Sequence, residues 1–138
     1  MKNLFEEIVI EKENIERTLE VMREAVDRKD KSHVELSAIG ASLHHCYSGM
    51  ENIIKRILKS KKIFVPASSS SHKDLLEKAN KHGIITGELL NRLDKFRGFR
   101  HFFVHGYGIM LNEDELLPLA NELPDVWRQF LSEIKTMN

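Results

Sequence analysis

The chain has 138 residues, of which 41% are hydrophobic and 30% charged, and its 21 lysines and arginines are balanced by 21 aspartates and glutamates. This length and composition predict one globular domain spanning residues 1–138 and exclude an intrinsically disordered chain. The zero formal net charge excludes a global electrostatic attraction to nucleic acid, so any such site must come from local clustering of cations.

Membrane and export signals are lacking in the sequence. No apolar run approaches the roughly 20 residues of a membrane-spanning helix, and residues 1–7 are too acidic for a signal peptide. We therefore expect a cytoplasmic protein with no membrane partner. The single cysteine, Cys46, has no partner for an internal disulfide, and its place inside an amphipathic segment predicts a buried thiol.

Apolar residues recur at helical spacing along most of the chain and predict an all-α protein. The first amphipathic stretch covers about residues 3 to 28. The second begins after Ser32, a plausible N-cap, and runs to about residue 59. Because the link between them is short, these two helices should pack antiparallel.

The serine-rich residues 66–71 predict a flexible surface loop rather than a boundary between domains. Ser71 should cap a short helix over residues 72–81, which should end at Gly83. Its histidine, His72, looks like a surface residue.

Two further helices complete the expected fold, an antiparallel up-and-down bundle of four to five helices. Thr86 should begin one, and Asn112 with Glu115 resembles a capping box at the start of the last. Pro118 and Pro124 should lie in or near the first turns of the last helix, or divide it in two.

A polar and aromatic cluster marks the point where the fourth helix should end, at residues 100–107. Arg100 occupies the position between Phe96 and Phe103 in an otherwise apolar stripe, and a charge in a core position needs an explanation. Arginine offers a planar charged fork to phosphate oxygens, and histidine exchanges protons near neutral pH. The cluster therefore predicts a site that acts on a phosphodiester.

Helix geometry restricts how Arg100 and His105 cooperate. Five residues turn an ideal helix about 140° beyond a full turn, so the two side chains share a face only if the chain turns out of the helix. Gly106 and Gly108 permit such a turn and would bring His105 round to the helix end.

Each residue of the cluster also has an ordinary structural interpretation. Arg100 would pair with a core carboxylate such as Glu51, and His105 would be a C-terminal residue favoured by the helix dipole. His101 and His105 stand four residues apart, the spacing of a two-histidine metal pair, and His44 with its neighbour would add ligands from another helix. No H-E-x-x-H pattern accompanies them, so we expect no metal site.

The spacing R-x4-H-x-Y resembles the HEPN superfamily and, within it, the HepT-like ribonuclease toxins of prokaryotic toxin–antitoxin pairs. In that pattern Arg100 and His105 take the two catalytic positions, His101 a supporting position and Tyr107 the trailing tyrosine.

Other segments are similar to the HepT group, so the resemblance spans most of the chain. They are Tyr47 with Glu51 in the second helix, residues 71–76 and residues 123–124. Two positions depart from the group: His101 stands where asparagine is common, and a serine precedes His72 where an aromatic residue is expected.

The resemblance implies a homodimer whose two copies of Arg100 and His105 line one cleft that binds single-stranded RNA. Lys95 and Arg97 would contact the RNA, together with the basic end of the second helix, residues 55–62. His105 would take the ribose 2′-hydroxyl proton or protonate the leaving 5′-oxygen while Arg100 stabilises negative charge, without a cofactor. The product would be a 2′,3′-cyclic phosphate.

The resemblance also implies a partner, a nucleotidyltransferase antitoxin that adenylylates Tyr107 and blocks the cleft. A second function from another class is a noncatalytic helical binding companion of a nucleotidyltransferase. Such a companion would need the apolar interface of the bundle but not the polar helix end.

Overall fold

A computed structural model describes residues 3–65, 71–105 and 111–135, and the described residues contain five α-helices and no strand. The predicted all-α class is confirmed. The helices are α1 (Leu4–Asp27), α2 (His33–Ser60), α3 (Ser71–Lys81), α4 (Gly87–Val104) and α5 (Glu113–Lys135).

The helices α1 and α2 pack antiparallel, as predicted. Arg56 near the end of α2 donates a hydrogen bond to Glu7 near the start of α1 at 2.9 Å, while the Cys46 thiol faces the Ile15 carbonyl oxygen at 3.8 Å. Gly49 allows the close approach, because a Cβ at this position would lie 2.6 Å from Ile15 Cγ1. The predicted burial of Cys46 is confirmed, and burial raises its pKa to about 12.

Short-range capping contacts define most helix ends. Ser32 and Glu35 form a capping box at the start of α2, and Thr86 accepts a hydrogen bond from the Leu89 amide at the start of α4. Gly83, with φ of 75°, ends the turn after α3 as predicted. The helix α3 begins at Ser71 itself, so the prediction that this residue stands outside the helix as its cap is wrong by one position.

The helix α5 is continuous through both prolines. Pro118 lies near the first turns of the helix, as expected, whereas Pro124 lies in its middle, and the expectation that the prolines divide the helix is wrong. Asn112 caps it by accepting a hydrogen bond from the Asp114 amide at 2.8 Å. Proline in a helix interior costs about 3 kcal/mol, and long-range contacts offset that cost. Trp127 donates a hydrogen bond to Glu16 of α1, and Leu123 and Phe130 are fully buried.

The core is centred on α2, which packs against each of the four other helices. The helices α4 and α5 run antiparallel, since Thr86 at the start of α4 bonds Glu133 near the end of α5, while Lys95 further along pairs with Glu122. These contacts establish the antiparallel bundle. Among the described residues, no helix is both long and apolar enough to cross a membrane.

Candidate functional site at the end of α4

The burial of α4 decreases halfway along its length. Leu89, Leu93 and Phe96 are fully buried, whereas the residues after Phe96 are half-buried or exposed. The half-buried Phe103 stacks on His44 of α2 with ring centroids 5.4 Å apart. The second half of α4 therefore lies beside the first half of α2, and it carries Arg97, Arg100 and His101 of the residues that the sequence predicts for the site.

Arg100 faces α2. It is half-buried, and its Nε atom is buried without a hydrogen-bond partner. Its charge acts on both His44 and Tyr47 of α2. Within the described chain Arg100 forms no ion pair with Glu51, so the ordinary structural interpretation of this arginine is not supported.

The carboxylate of Glu51 has a different partner, which the sequence did not indicate. Glu51 is only 3% exposed, and its two oxygens lie 2.9 and 3.0 Å from Nδ1 of His72 on α3. His72 is thus a half-buried residue that ties α3 to α2, not the surface residue expected from sequence. Tyr47 is buried beside this pair, and burial, followed by the charge of Glu51, raises its pKa.

The two histidines of the motif face solvent. His101 and His105 are both exposed, and their ring centroids lie 4.2 Å apart. His105 is the C-cap residue of α4, and its amide donates a hydrogen bond to the His101 carbonyl oxygen at 3.2 Å. In the described chain no three histidine, cysteine or acidic side chains come together as a metal site would require.

Arg100 thus faces α2, whereas His105 is exposed at the C-cap of α4, and no hydrogen bond joins the two side chains within the described residues. The turn at Gly106 and Gly108, which was expected to bring His105 round, lies outside the described residues. So does Tyr107, the candidate modification site.

The candidate RNA-binding cations are held by carboxylates. Lys95 lies 3.4 Å from Glu122 of α5, and Arg97 lies 2.6 Å from Asp94. The basic end of α2 is remote within one chain. Lys59 follows His44 by 15 residues, which corresponds to about 22 Å along the helix axis. Arg56, nearby on α2, is paired with carboxylates of α1.

Comparison with known proteins identifies the family. The sequence profile of a family described as HepT-like protein matches residues 38–138. The chain belongs to the HepT-like protein family. The matched range covers the part of α2 that holds His44, together with α3, α4 and α5.

A solved structure shares the fold of this HepT-like protein. It is described as "Crystal structure of the toxin-antitoxin with AMP-PNP" and superposes with a TM-score of 0.81 at 20% sequence identity, over 94% of this chain and 98% of the other. No curated protein matches the sequence.

Proposed function

We propose that this HepT-like protein is the toxin of a toxin–antitoxin pair and acts as a metal-independent endoribonuclease. Family membership and the fold shared with a toxin–antitoxin structure support the first part. The observation that carries the second is the state of Arg100. Of the three arginines on α4, Arg92 and Arg97 are paired with carboxylates, while Arg100 has a buried Nε atom with no partner.

A guanidinium whose Nε atom has no partner among the described residues, on a half-buried surface, suits an anionic ligand. Its N–H groups match the oxygens of a phosphodiester and would stabilise the negative charge that develops on phosphorus during cleavage. His105, exposed at the end of the same helix, exchanges protons with the reacting oxygens. Attack of the ribose 2′-oxygen on phosphorus would leave a 2′,3′-cyclic phosphate.

A homodimer completes the site in this proposal. Arg100 faces α2 while His105 is exposed at the end of α4, so a second copy is the simplest source of a His105 imidazole near each guanidinium. Lys95 and Arg97 contribute to RNA binding when RNA phosphates compete with Glu122 and Asp94 for them. That exchange makes RNA binding sensitive to salt concentration.

The test combines a growth assay with RNA cleavage in vitro. Expression of the wild type alone should stop growth, and the purified protein should cleave single-stranded RNA in the presence of excess chelator. Arg100→Ala and His105→Ala should each lower cleavage at least about 100-fold without loss of helical circular dichroism. Arg128→Ala is the matched control, since its side chain is 70% exposed on α5.

The outcomes separate the two candidate functions. A wild type that cleaves no RNA but binds a nucleotidyltransferase tightly would contradict the ribonuclease proposal and support a noncatalytic companion. Cleavage that is lost with chelator and restored by zinc would support a metal site at His101 and His105 instead.

The antitoxin in this proposal is a nucleotidyltransferase that adenylylates Tyr107. Support comes from the structural neighbour, whose description includes the ATP analogue AMP-PNP. Coexpression should add one or more adenylyl groups to Tyr107 and lower cleavage, because the added phosphate competes with RNA for Arg100. Tyr107→Phe should remain active and unmodified in intact-mass spectrometry. A neutralised wild type without added mass would refute covalent control.

A further inference from the structure

Buried polar atoms without partners are concentrated where α2 meets α4. Four such side-chain atoms occur among the described residues, and two of them, Nδ1 of His44 and Nε of Arg100, belong to neighbouring side chains. The hydroxyl of Tyr47 lies beside them but is close to the carboxylate of Glu51. Leaving a buried donor or acceptor unpaired costs about 1–3 kcal/mol. Groups kept in this state at the edge of a proposed active site are candidates for contact with a ligand.

Cleavage of RNA through the 2′-oxygen requires two proton transfers. One group accepts the proton of the 2′-hydroxyl, and another donates a proton to the leaving 5′-oxygen. The R-x4-H-x-Y motif supplies only one imidazole per chain at its histidine position, His105. A second group placed beside the phosphate-binding arginine would complete the pair.

We propose that His44 of α2 is a further catalytic residue of the ribonuclease site and accepts the proton from the ribose 2′-hydroxyl. The inference rests on the proposed ribonuclease function and assigns its two proton transfers to two different histidines. His44 is half-buried, is held by stacking on Phe103 and lies beside Arg100. A phosphate bound by Arg100 would therefore bring its neighbouring ribose close to this imidazole.

The orientation of the His44 ring suits this role. Its Nδ1 atom is buried without a hydrogen-bond partner among the described residues, so we assign contact with substrate to Nε2 of this half-buried ring. No hydrogen bond holds the ring proton on either nitrogen in the described structure, and neutral imidazole can therefore present Nε2 as a proton acceptor.

The surroundings favour the neutral form of His44. Burial lowers its pKa, and the positive charges of Arg100 on α4 and His45 on α2 lower it further, while Glu51 acts weakly in the opposite direction. A neutral imidazole is ready to accept a proton at physiological pH. Two histidines in different environments, one beside an arginine and one exposed at a helix end, are what an acid–base pair requires.

The reaction balances without a metal or a redox partner. The 2′-hydroxyl proton moves to Nε2 of His44 as the 2′-oxygen forms a bond to phosphorus. The bond from phosphorus to the 5′-oxygen breaks, and that oxygen receives a proton from the imidazolium of His105. Water later restores both protonation states.

The experiment compares two substrates that differ in whether the leaving oxygen must be protonated by a general acid. One is an RNA dinucleotide, whose 5′-oxygen must be protonated to leave. The other is a ribonucleoside 3′-(4-nitrophenyl phosphate), whose leaving group departs without a proton. Both substrates are assayed with the wild type and with three variants of the full-length protein, namely His44→Phe, His44→Gln and His105→Ala.

The expected pattern is asymmetric. His105→Ala should lose cleavage of the dinucleotide by about 100-fold or more but retain cleavage of the nitrophenyl ester within a few fold. His44→Phe, which preserves an aromatic ring against Phe103, should lose both activities by a similar factor. The acidic limb of the wild-type pH profile of kcat/KM should disappear in the His44 variants. His44→Gln provides the same comparison if His44→Phe does not melt cooperatively.

His33→Ala is the matched control, because His33 is an exposed histidine at the start of α2 and does not act on His44, and it should leave both activities unchanged. A His44→Phe protein with wild-type rates on both substrates would overturn the inference while leaving the ribonuclease proposal intact. So would loss of the dinucleotide activity alone. A wild type that cleaves neither substrate would overturn both.

Discussion

Arg100 lowers the stability of the folded protein in two ways that the other arginines of α4 avoid. It occupies a position in the stripe formed by Leu93, Phe96 and Phe103, and no carboxylate compensates its partial burial. Arg92, by contrast, bonds Glu122, Gln129 and Asp125. An arginine of this kind is typical of a functional site. The protein is then less stable than its fold would allow, because the side chain is kept to bind a ligand.

Replacing Arg100 with methionine should therefore stabilise the bundle. The flexible apolar side chain fits the stripe and removes the unpaired buried nitrogen, so the free energy of unfolding should rise by about 1 kcal/mol. Urea denaturation at a fixed protein concentration measures the change. Arg92→Met, which breaks three polar contacts, should lower it by roughly the same amount. A fall for both variants would show that Arg100 contributes to the fold.

His44 gives the protein a specific dependence of stability on pH. Its folded-state pKa lies below the ordinary value of 6.5, chiefly because of burial. As the pH falls below 6.5, His44 is protonated more readily in the unfolded chain than in the folded chain. Its contribution to the free energy of unfolding is therefore complete above pH 6.5 and declines as the pH falls below that value.

The melting temperature of the wild type should accordingly fall more between pH 7 and about pH 5 than that of His44→Phe, because the phenylalanine ring cannot be protonated. Carboxylates that titrate in this range affect both proteins and cancel in the comparison. An equal fall in the two proteins would mean that burial of His44 does not disfavour its charged form.

At the scale of the helices, local patterns predicted the fold well where the controlling contacts are local. Apolar spacing located α1, α2 and α4 within about two residues, since periodicity and side-chain caps such as Ser32 and Thr86 act within a single turn. Pro124 misled the prediction because contacts that stabilise α5 as one continuous helix come from distant residues, including Glu16 of α1.

Gly49 sets the distance between α1 and α2. A methyl group there would meet Ile15 Cγ1 and Cδ1 at 2.6 and 2.7 Å, and Ile15 is 1% exposed and unable to move freely. Gly49→Ala should therefore lower the free energy of unfolding by about 1–3 kcal/mol, against a gain in helix propensity of up to about 1 kcal/mol.

Gly87→Ala is the control for that measurement, because nothing lies within 4 Å of the added methyl group. It should change stability by less than about 0.5 kcal/mol in denaturant titrations. Equal effects at the two positions would show that α1 and α2 can separate at little cost.

For the whole molecule, we expect self-association through the open half of α4. Val104 is 50% exposed, and Phe99 and Phe102 are only half-buried. Light scattering at micromolar concentration should give about twice the 16.0 kDa of one chain. Val104→Asp should shift the mass toward one chain and abolish RNA cleavage, since a charge in a buried interface is unfavourable.

Val21→Asp is the matched control, because Val21 is 54% exposed on α1, away from the open half of α4. It should leave the mass unchanged. A wild type with the mass of one chain that still cleaves RNA would contradict the proposal that the site needs two copies.

The candidate site, like the helices, could be predicted from the sequence only where the signal is local. Arg100 stood out because a charge interrupts an apolar stripe, which is visible within one helix. The stacking of His44 on Phe103 and the bond from His72 to Glu51 join different helices, and no spacing along the chain encodes them. These two contacts depend on which helix faces meet in the bundle, and the sequence alone does not show that before the fold is known.

The division of α4 between a buried half and an open half separates the residues that fold the protein from those proposed to act on RNA. Leu89, Leu93 and Phe96 anchor the helix, so changes beyond Phe96 leave the anchor untouched. A chain that has lost activity through a change at Arg100 or His105 alone, with Val104 intact, would then remain folded and able to pair with an active copy in the proposed dimer. In a cell that holds both forms, such mixed pairs would dilute the active pool.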